Sequence, residues 1–259
     1  WLYAAGTIPL LLATILLAAL SYLSYTPVHE AAHGNIRGDK ASLRWLEDAC
    51  GYACAQLIFL PHAGHRHEHM VHHRYTNQPE RDPDFLANRM GNGLTSFLLM
   101  TPRFFWNGFS YALRRECTSV SRRDKSVFGI EVIVALGWRA AFIAHVGLVD
   151  GLVLILGGYI LAVYFTVYWF AYRPHHPYET AERYRNTNNF VFPAWLKPVR
   201  WFWMNQDLHA IHHLFPRVPF YRYRALFREI EPILEVQGTP LIGIFDREPV
   251  DYRYQAEPA

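Results

Sequence analysis

Charge is absent from the first 23 residues of this chain, and cysteine is scarce: three in 259 residues, at Cys50, Cys54 and Cys117. So small and odd a number makes no disulfide framework. Cys50 and Cys54 stand one helical turn apart and read as small residues on a buried apolar face. With no further cysteine near the histidines, iron–sulfur and thiolate-haem chemistry fit poorly. Missing too is a basic run ahead of the first apolar stretch, so residues 1–25 do not read as a signal peptide. The chain opens on Trp1 rather than Met, and the expectation is an N-terminally truncated sequence with room for a fourth span before Trp1.

What is present is apolar and aromatic surface, at 51% and 16% of residues. Residues 1–25 are long and leucine-rich enough to cross a bilayer, which takes about 20 apolar residues. Residues 127–147 and 148–172 form two more spans, joined by a tight turn around Gly147, Asp150 and Gly151. Residues 45–60 are too short and carry Glu47 and Asp48, while residues 94–113 are broken by Pro102, Arg103 and Asn107. Both read as in-plane amphipathic helices. With that parity, residues 26–126 and 173–259 lie on one side of the membrane. Charge agrees, since 24 of the 25 Lys and Arg fall in those two stretches, and the positive-inside rule makes that side cytoplasmic. The expected architecture is one all-α integral membrane domain over residues 1–259, with about three spans and a cytosolic cap.

Two ionisable residues fall inside the span 127–147. Arg139 is expected to have a structural role, paired with Glu131 two turns earlier, and His145 to reach the far interface. Beyond Phe190 the chain is rich in Trp, Tyr and Arg, which suits the headgroup level of a bilayer and argues against nucleic acid as the partner.

The fourteen histidines carry the chemistry. Six of them fall within residues 62–73, and thirteen fall in four clusters, with His145 alone. His69, His72 and His73 are spaced i, i+3, i+4, so on a helix they share one face. His209, His212 and His213 repeat that spacing, and His29 with His33 makes an i, i+4 pair. A merely solvated face would carry Lys and Glu as often as His. Eight imidazoles exceed the three or four ligands of one zinc and divide naturally between two metal ions. Imidazole itself accepts Fe, Zn, Cu or Ni.

This HxxxH, HxxHH, HxxHH series resembles the membrane fatty acid desaturase/hydroxylase superfamily of histidine-box, non-haem di-iron oxidases. HHRYTNQPERDPDF (residues 72–85) is similar to the stretch after the second box in desaturases and carotenoid ketolases. HHLFPRVPFYRYR (212–224) and RPHHPYETAERYRNT (173–187) resemble desaturase-like beta-carotene hydroxylases. The resemblance implies His175 as a ninth ligand beside His29, His33, His69, His72, His73, His209, His212 and His213. It leaves His176 outside that set, where the hydroxylases often have Arg.

It further implies two iron ions, O2 as co-substrate, and two external electrons used to break an unactivated C–H bond. The product is an alcohol or, after a second hydrogen abstraction, a double bond. The expected substrate is a long hydrophobic lipid, with a carotenoid ring hydroxylase as the leading reading and a fatty-acyl desaturase as the alternative. No flavin or nicotinamide fingerprint is present, so a ferredoxin or cytochrome-b5-type donor is implied. Glu30, Glu68, Asp82, Asp84, Asn205 and Asp207 are candidates to hold the outer N–H of the ligating rings. His62, His65 and His67 are expected to stand apart from the metal.

The rival readings explain less. His29-Glu-Ala-Ala-His33 is literally HExxH, the helical zinc motif of a metalloprotease, but that leaves two HxxHH boxes unused. A metal transporter would place its ligands near the bilayer midplane, and a haem b carrier would want them within paired spans, where only His145 qualifies.

Overall fold

The computed structural model describes residues 2–114 and 120–251; Cys117 lies outside them. The described chain is mostly helical, with a small three-stranded sheet. Three of its helices are long and apolar enough to cross a membrane: α1 (Leu10–His33), α5 (Arg122–Val146) and α6 (Leu148–Tyr172). Between α1 and α5 come α2 (Arg44–Ile58), α3 (His62–Tyr75) and α4 (Leu94–Ser110). At 15 and 17 residues, α2 and α4 fall short of the roughly 20 residues a span needs. The chain divides into two compact units: residues 1–69 with 105–167, and residues 70–104 with 168–259.

In the first unit α1 begins later than the apolar pattern suggests, because Pro9 holds an extended conformation at its N-cap. It then runs through Pro27 without ending, and so carries His29 and His33 on its last turns. Gly34 closes it in the left-handed conformation (φ 78°), a backbone shape that costs glycine little. One side of α1 buries small polar residues: the Ser21 hydroxyl donates to the Leu57 carbonyl at 3.1 Å. Leu11, Ile15 and Leu20 are exposed, as are Ile130, Ile133 and Val134 of α5, which suits lipid as solvent. The α5–α6 turn rests on Gly147 (φ 99°) and on Gly151, where a Cβ would come within 2.7 Å of the Ile143 Cα.

The polar residues of α5 correct one expectation. Arg139 does not take Glu131 as its partner. Its guanidinium donates to the carbonyls of Ala135 (3.0 Å) and Gln56 (2.6 Å), while the Glu131 carboxylate accepts the backbone N–H of His62 (2.7 Å) and Ala63 (2.9 Å). The reason is geometric: each charge meets the complementary end of a helix dipole. His145 ends up exposed on the last turn of α5. Cys50 and Cys54 are half-buried thiols, less enclosed than the sequence suggests.

The second unit holds the sheet, which the helical patterning does not reveal. Strand β1 (Asn189–Val191) pairs in parallel with β2 (Pro240–Gly243), and β2 pairs antiparallel with β3 (Val250–Asp251). Phe190, Phe192, Ile242 and Ile244 pack one small core against Trp169 and Trp203. A second core joins α7 (His209–Leu214) to α8 (Tyr223–Gln237) through Leu208, Ile211, Leu214, Tyr223 and Leu234. Helix α7 is only six residues long, too short to be stable alone. Strand β1 steadies its start: Asn189 Oδ1 accepts the Ala210 N–H at 3.1 Å, and the Phe190 N–H donates to the Asp207 carbonyl at 2.8 Å.

Candidate metal centre

In the first unit, the last two turns of α1 present His29 and His33, and α3 presents His69. All three are buried. Their available ring nitrogens lie within 4.8 Å of one another, and Nε2 of His33 is 2.9 Å from Nε2 of His69. The i, i+4 spacing makes this happen, since it stacks His29 and His33 on one helical face. His65 stacks on His69, with ring centroids 5.2 Å apart, and its Nδ1 lies 3.3 Å from Glu68.

In the second unit, His72 and His73 occupy the last turn of α3, His175 follows α6, and α7 supplies His209, His212 and His213. Nitrogens of His72, His175 and His213 lie within 4.8 Å of one another. Nε2 of His209 is 3.1 Å from Nε2 of both His175 and His213, and Nε2 of His73 is 2.8 Å from Nε2 of His212.

Three of these rings have partners at their outward edges. Nδ1 of His72 is 2.8 Å from Asp82 Oδ1, and Asp82 is itself held by the N–H groups of Asn77 and Asp84, each at 2.8 Å. Nδ1 of His212 meets the Tyr223 hydroxyl at 2.8 Å. Thr76 donates its hydroxyl hydrogen to the His72 carbonyl at 2.9 Å, which leaves its oxygen to accept from Nδ1 of His213 at 3.3 Å.

This pattern fits a metal. A neutral imidazole has one N–H. Where Nδ1 donates outward to Asp82 or Thr76, Nε2 carries only a lone pair, and clustered lone pairs repel unless a cation sits among them. Burial, then the neighbouring rings, pushes the pKa of His175 and His213 well below the usual value, which favours the neutral ring. Burial alone would lower the pKa of His72, but Asp82 and Asp84 carry it up to about 9. Those carboxylates stabilise positive charge at this ring, whether a proton or a metal brings it. Among the described residues, both sets of clustered donors consist of histidine alone.

The other predicted residues divide. Asp84 lies 3.7 Å from Nδ1 of His72, and Glu30 lies 3.6 Å from Nδ1 of His29. Asn205 and Asp207 hold arginines instead of imidazoles. Asn205 accepts from Arg224 at 2.9 Å, and Asp207 takes Arg200 as its ion-pair partner, with Arg224 at 3.6 Å. Burial raises the Asp207 pKa while the two arginines pull it down. His62 packs against Tyr52, His67 pairs with Asp124 at 3.0 Å, and His176 pairs with Glu248 at 3.0 Å; none of the three joins a cluster. Tyr223 and Thr76 escaped the sequence reading. A Tyr eleven residues after its His and a Thr on a neighbouring turn give no spacing signal.

A model of the fatty acid desaturase family matches residues 5–245. The chain belongs to that family. That family is one of membrane oxidoreductases, which are generally di-iron. It is 28% identical over 183 residues to a sphingolipid delta(4)-desaturase/C4-monooxygenase of Mus musculus, a match covering 68% of this chain and 51% of the mouse protein. It is 23% identical over 269 residues to a fatty acid conjugase of Calendula officinalis, covering 87% of this chain and 70% of that protein. The match thus spans about half the length of the first relative.

Proposed function

We propose that this protein is an O2-dependent di-iron oxidase that breaks an unactivated C–H bond of a long hydrophobic lipid drawn from the bilayer. The observation that carries the reading is the convergence of buried and half-buried imidazoles, three of which, His72, His212 and His213, have their outer nitrogens already engaged. His29, His33, His69, His72, His73, His175, His209, His212 and His213 would hold two iron ions. Bound iron supplies the means to reduce O2 with external electrons to an oxidant able to take hydrogen from carbon.

The chain's own residues do the rest. Asp82 keeps the hydrogen of His72 on Nδ1 and its Nε2 free to ligate, and Thr76 does the same for His213. Tyr223 fixes the plane of the His212 ring. Burial of the rings keeps bulk water from an oxidising centre. The site is assigned to the cytoplasmic side, on the distribution of Lys and Arg. A ferredoxin or cytochrome-b5-type protein is the proposed electron donor, attracted by that basic surface.

The leading substrate is beta-carotene, hydroxylated on its ring, because residues 173–187 and 212–224 resemble carotenoid hydroxylases. Acyl desaturation is the second reading, favoured by the sphingolipid and fatty acid named for the two relatives. Expression in a host that makes beta-carotene, with carotenoids and acyl chains analysed in parallel, separates them. New hydroxylated carotenoid supports the first. Unchanged carotenoid with new unsaturated acyl chains replaces it with the second.

A further inference from the structure

A buried ion in a membrane span is costly and needs a specific reason to be there. Helix α5 carries two, Glu131 at 6% exposure and Arg139 at 9%. They stand eight residues apart, about 12 Å along the helix. Each is satisfied by a helix end in the first unit. Both Glu131 oxygens accept the opening N–H groups of α3, from His62 and Ala63, at 2.7 and 2.9 Å. Arg139 donates to the closing carbonyls of α2, at Gln56 (2.6 Å) and Leu57 (3.4 Å), with its guanidinium 4.9 Å from the Phe59 ring centroid.

Local capping is incomplete at both ends: at the close of α2 the Phe59 and Leu60 N–H groups both go to the Ala55 carbonyl, which leaves the Gln56 and Leu57 carbonyls to donors from other helices. The residue before α3 is Pro61, which has no side-chain acceptor, and α2 ends on Phe59 in a left-handed conformation (φ 55°) that a phenylalanine adopts only under constraint. The signs match the helix dipoles: the anion lies at an N-terminus and the cation at a C-terminus. One span therefore clasps the α2–α3 turn from both sides. His69 lies seven residues into α3, about 10 Å from the clasped end, where its Nε2 meets that of His33.

We propose that Glu131 and Arg139 are positioning residues, whose clasp on the α2–α3 turn sets His69 against His33 and His29. This inference rests on the proposed iron-binding function. It touches no substrate and acts only through α3.

The test uses the full chain in detergent, as Glu131→Gln, Glu131→Leu, Arg139→Gln and the Glu131→Gln/Arg139→Gln double variant, with exposed Ile133→Ala as control. Iron per chain, the Mössbauer spectrum of iron-57-loaded protein, and kcat and KM on the product-forming substrate are measured. Glu131→Leu should lose iron or shift its spectrum. Displacement of a reacting group by about 1 Å can cost a hundredfold, so its kcat should fall at least about tenfold with KM within about twofold. Glu131→Gln keeps one acceptor and should lie between wild type and Glu131→Leu. The losses of Glu131→Gln and Arg139→Gln should multiply in the double variant.

A double variant no worse than its worse parent would show that the two charges serve each other, and would overturn the clasp. Variants that melt earlier yet keep the wild-type spectrum and kcat would overturn the positioning role as well. Wild-type protein that binds no iron would instead remove the functional reading itself, which is a separate result.

Discussion

The two units build their histidine clusters by different means. In the first, His29 and His33 ride on the last turns of a 24-residue helix, so their alignment follows from helical spacing. In the second, His209, His212 and His213 ride on a helix of six residues and His175 on a turn, where spacing alone fixes little. There three rings have their outer nitrogens engaged, His72 by Asp82, His212 by Tyr223 and His213 by Thr76. In the first, Glu30 lies 3.6 Å from Nδ1 of His29. Helical spacing aligns the first pair of rings, whereas on the short segments hydrogen bonds to individual rings add to what spacing fixes.

Substitutions can break that contrast or sharpen it. The largest effect is expected where the two regions should agree. Replacing His69 in the first unit or His213 in the second with Ala should abolish iron binding and lower turnover by more than about a hundredfold, read by metal analysis and product formation. Retained iron in either variant would remove that ring from the ligand set. The next effect should separate the regions. Asp82→Ala should weaken iron affinity about 10- to 100-fold, while Glu30→Gln should cost only a few-fold, measured by competition with a chelator. Equal losses would mean that the first cluster leans on its outer partner as much as the second.

Smaller still is Tyr223→Phe, which keeps the buried ring and removes one hydroxyl. It should cost about 1 kcal/mol of apparent iron affinity in the same competition. The smallest effect on metal is expected at His62, which is almost fully buried yet outside both clusters. His62→Ala should leave iron stoichiometry unchanged while lowering the apparent melting temperature in detergent by on the order of 5 °C. Loss of iron there would mean that the register along α3 is wrong.

The same contrast explains what could be read from the sequence. Helical period and apolar length reveal the three spans, and HxxxH and HxxHH reveal which histidines share a face, because both signals are local and repeat. His175 is visible only through the likeness of residues 173–187 to known hydroxylases, since a histidine on a turn has no period. The small sheet was hidden because its strands are two to four residues long. Asp207 misleads for a related reason. A carboxylate two residues before a histidine box resembles an imidazole partner, yet the fold brings Arg200 and Arg224 to it from other segments. Glu131 and Arg139 looked like a pair along one helix, and the helix ends that they serve belong to residues about seventy to eighty positions away.

The central claim is that the clustered histidines bind two irons, and metal analysis of the purified full chain tests it most directly. Iron-57 loading with Mössbauer spectroscopy and elemental analysis should give about two irons per chain, lost together in the His213→Ala variant. A single zinc per chain, retained in that variant and held by His29 and His33 of the HExxH sequence, would contradict it.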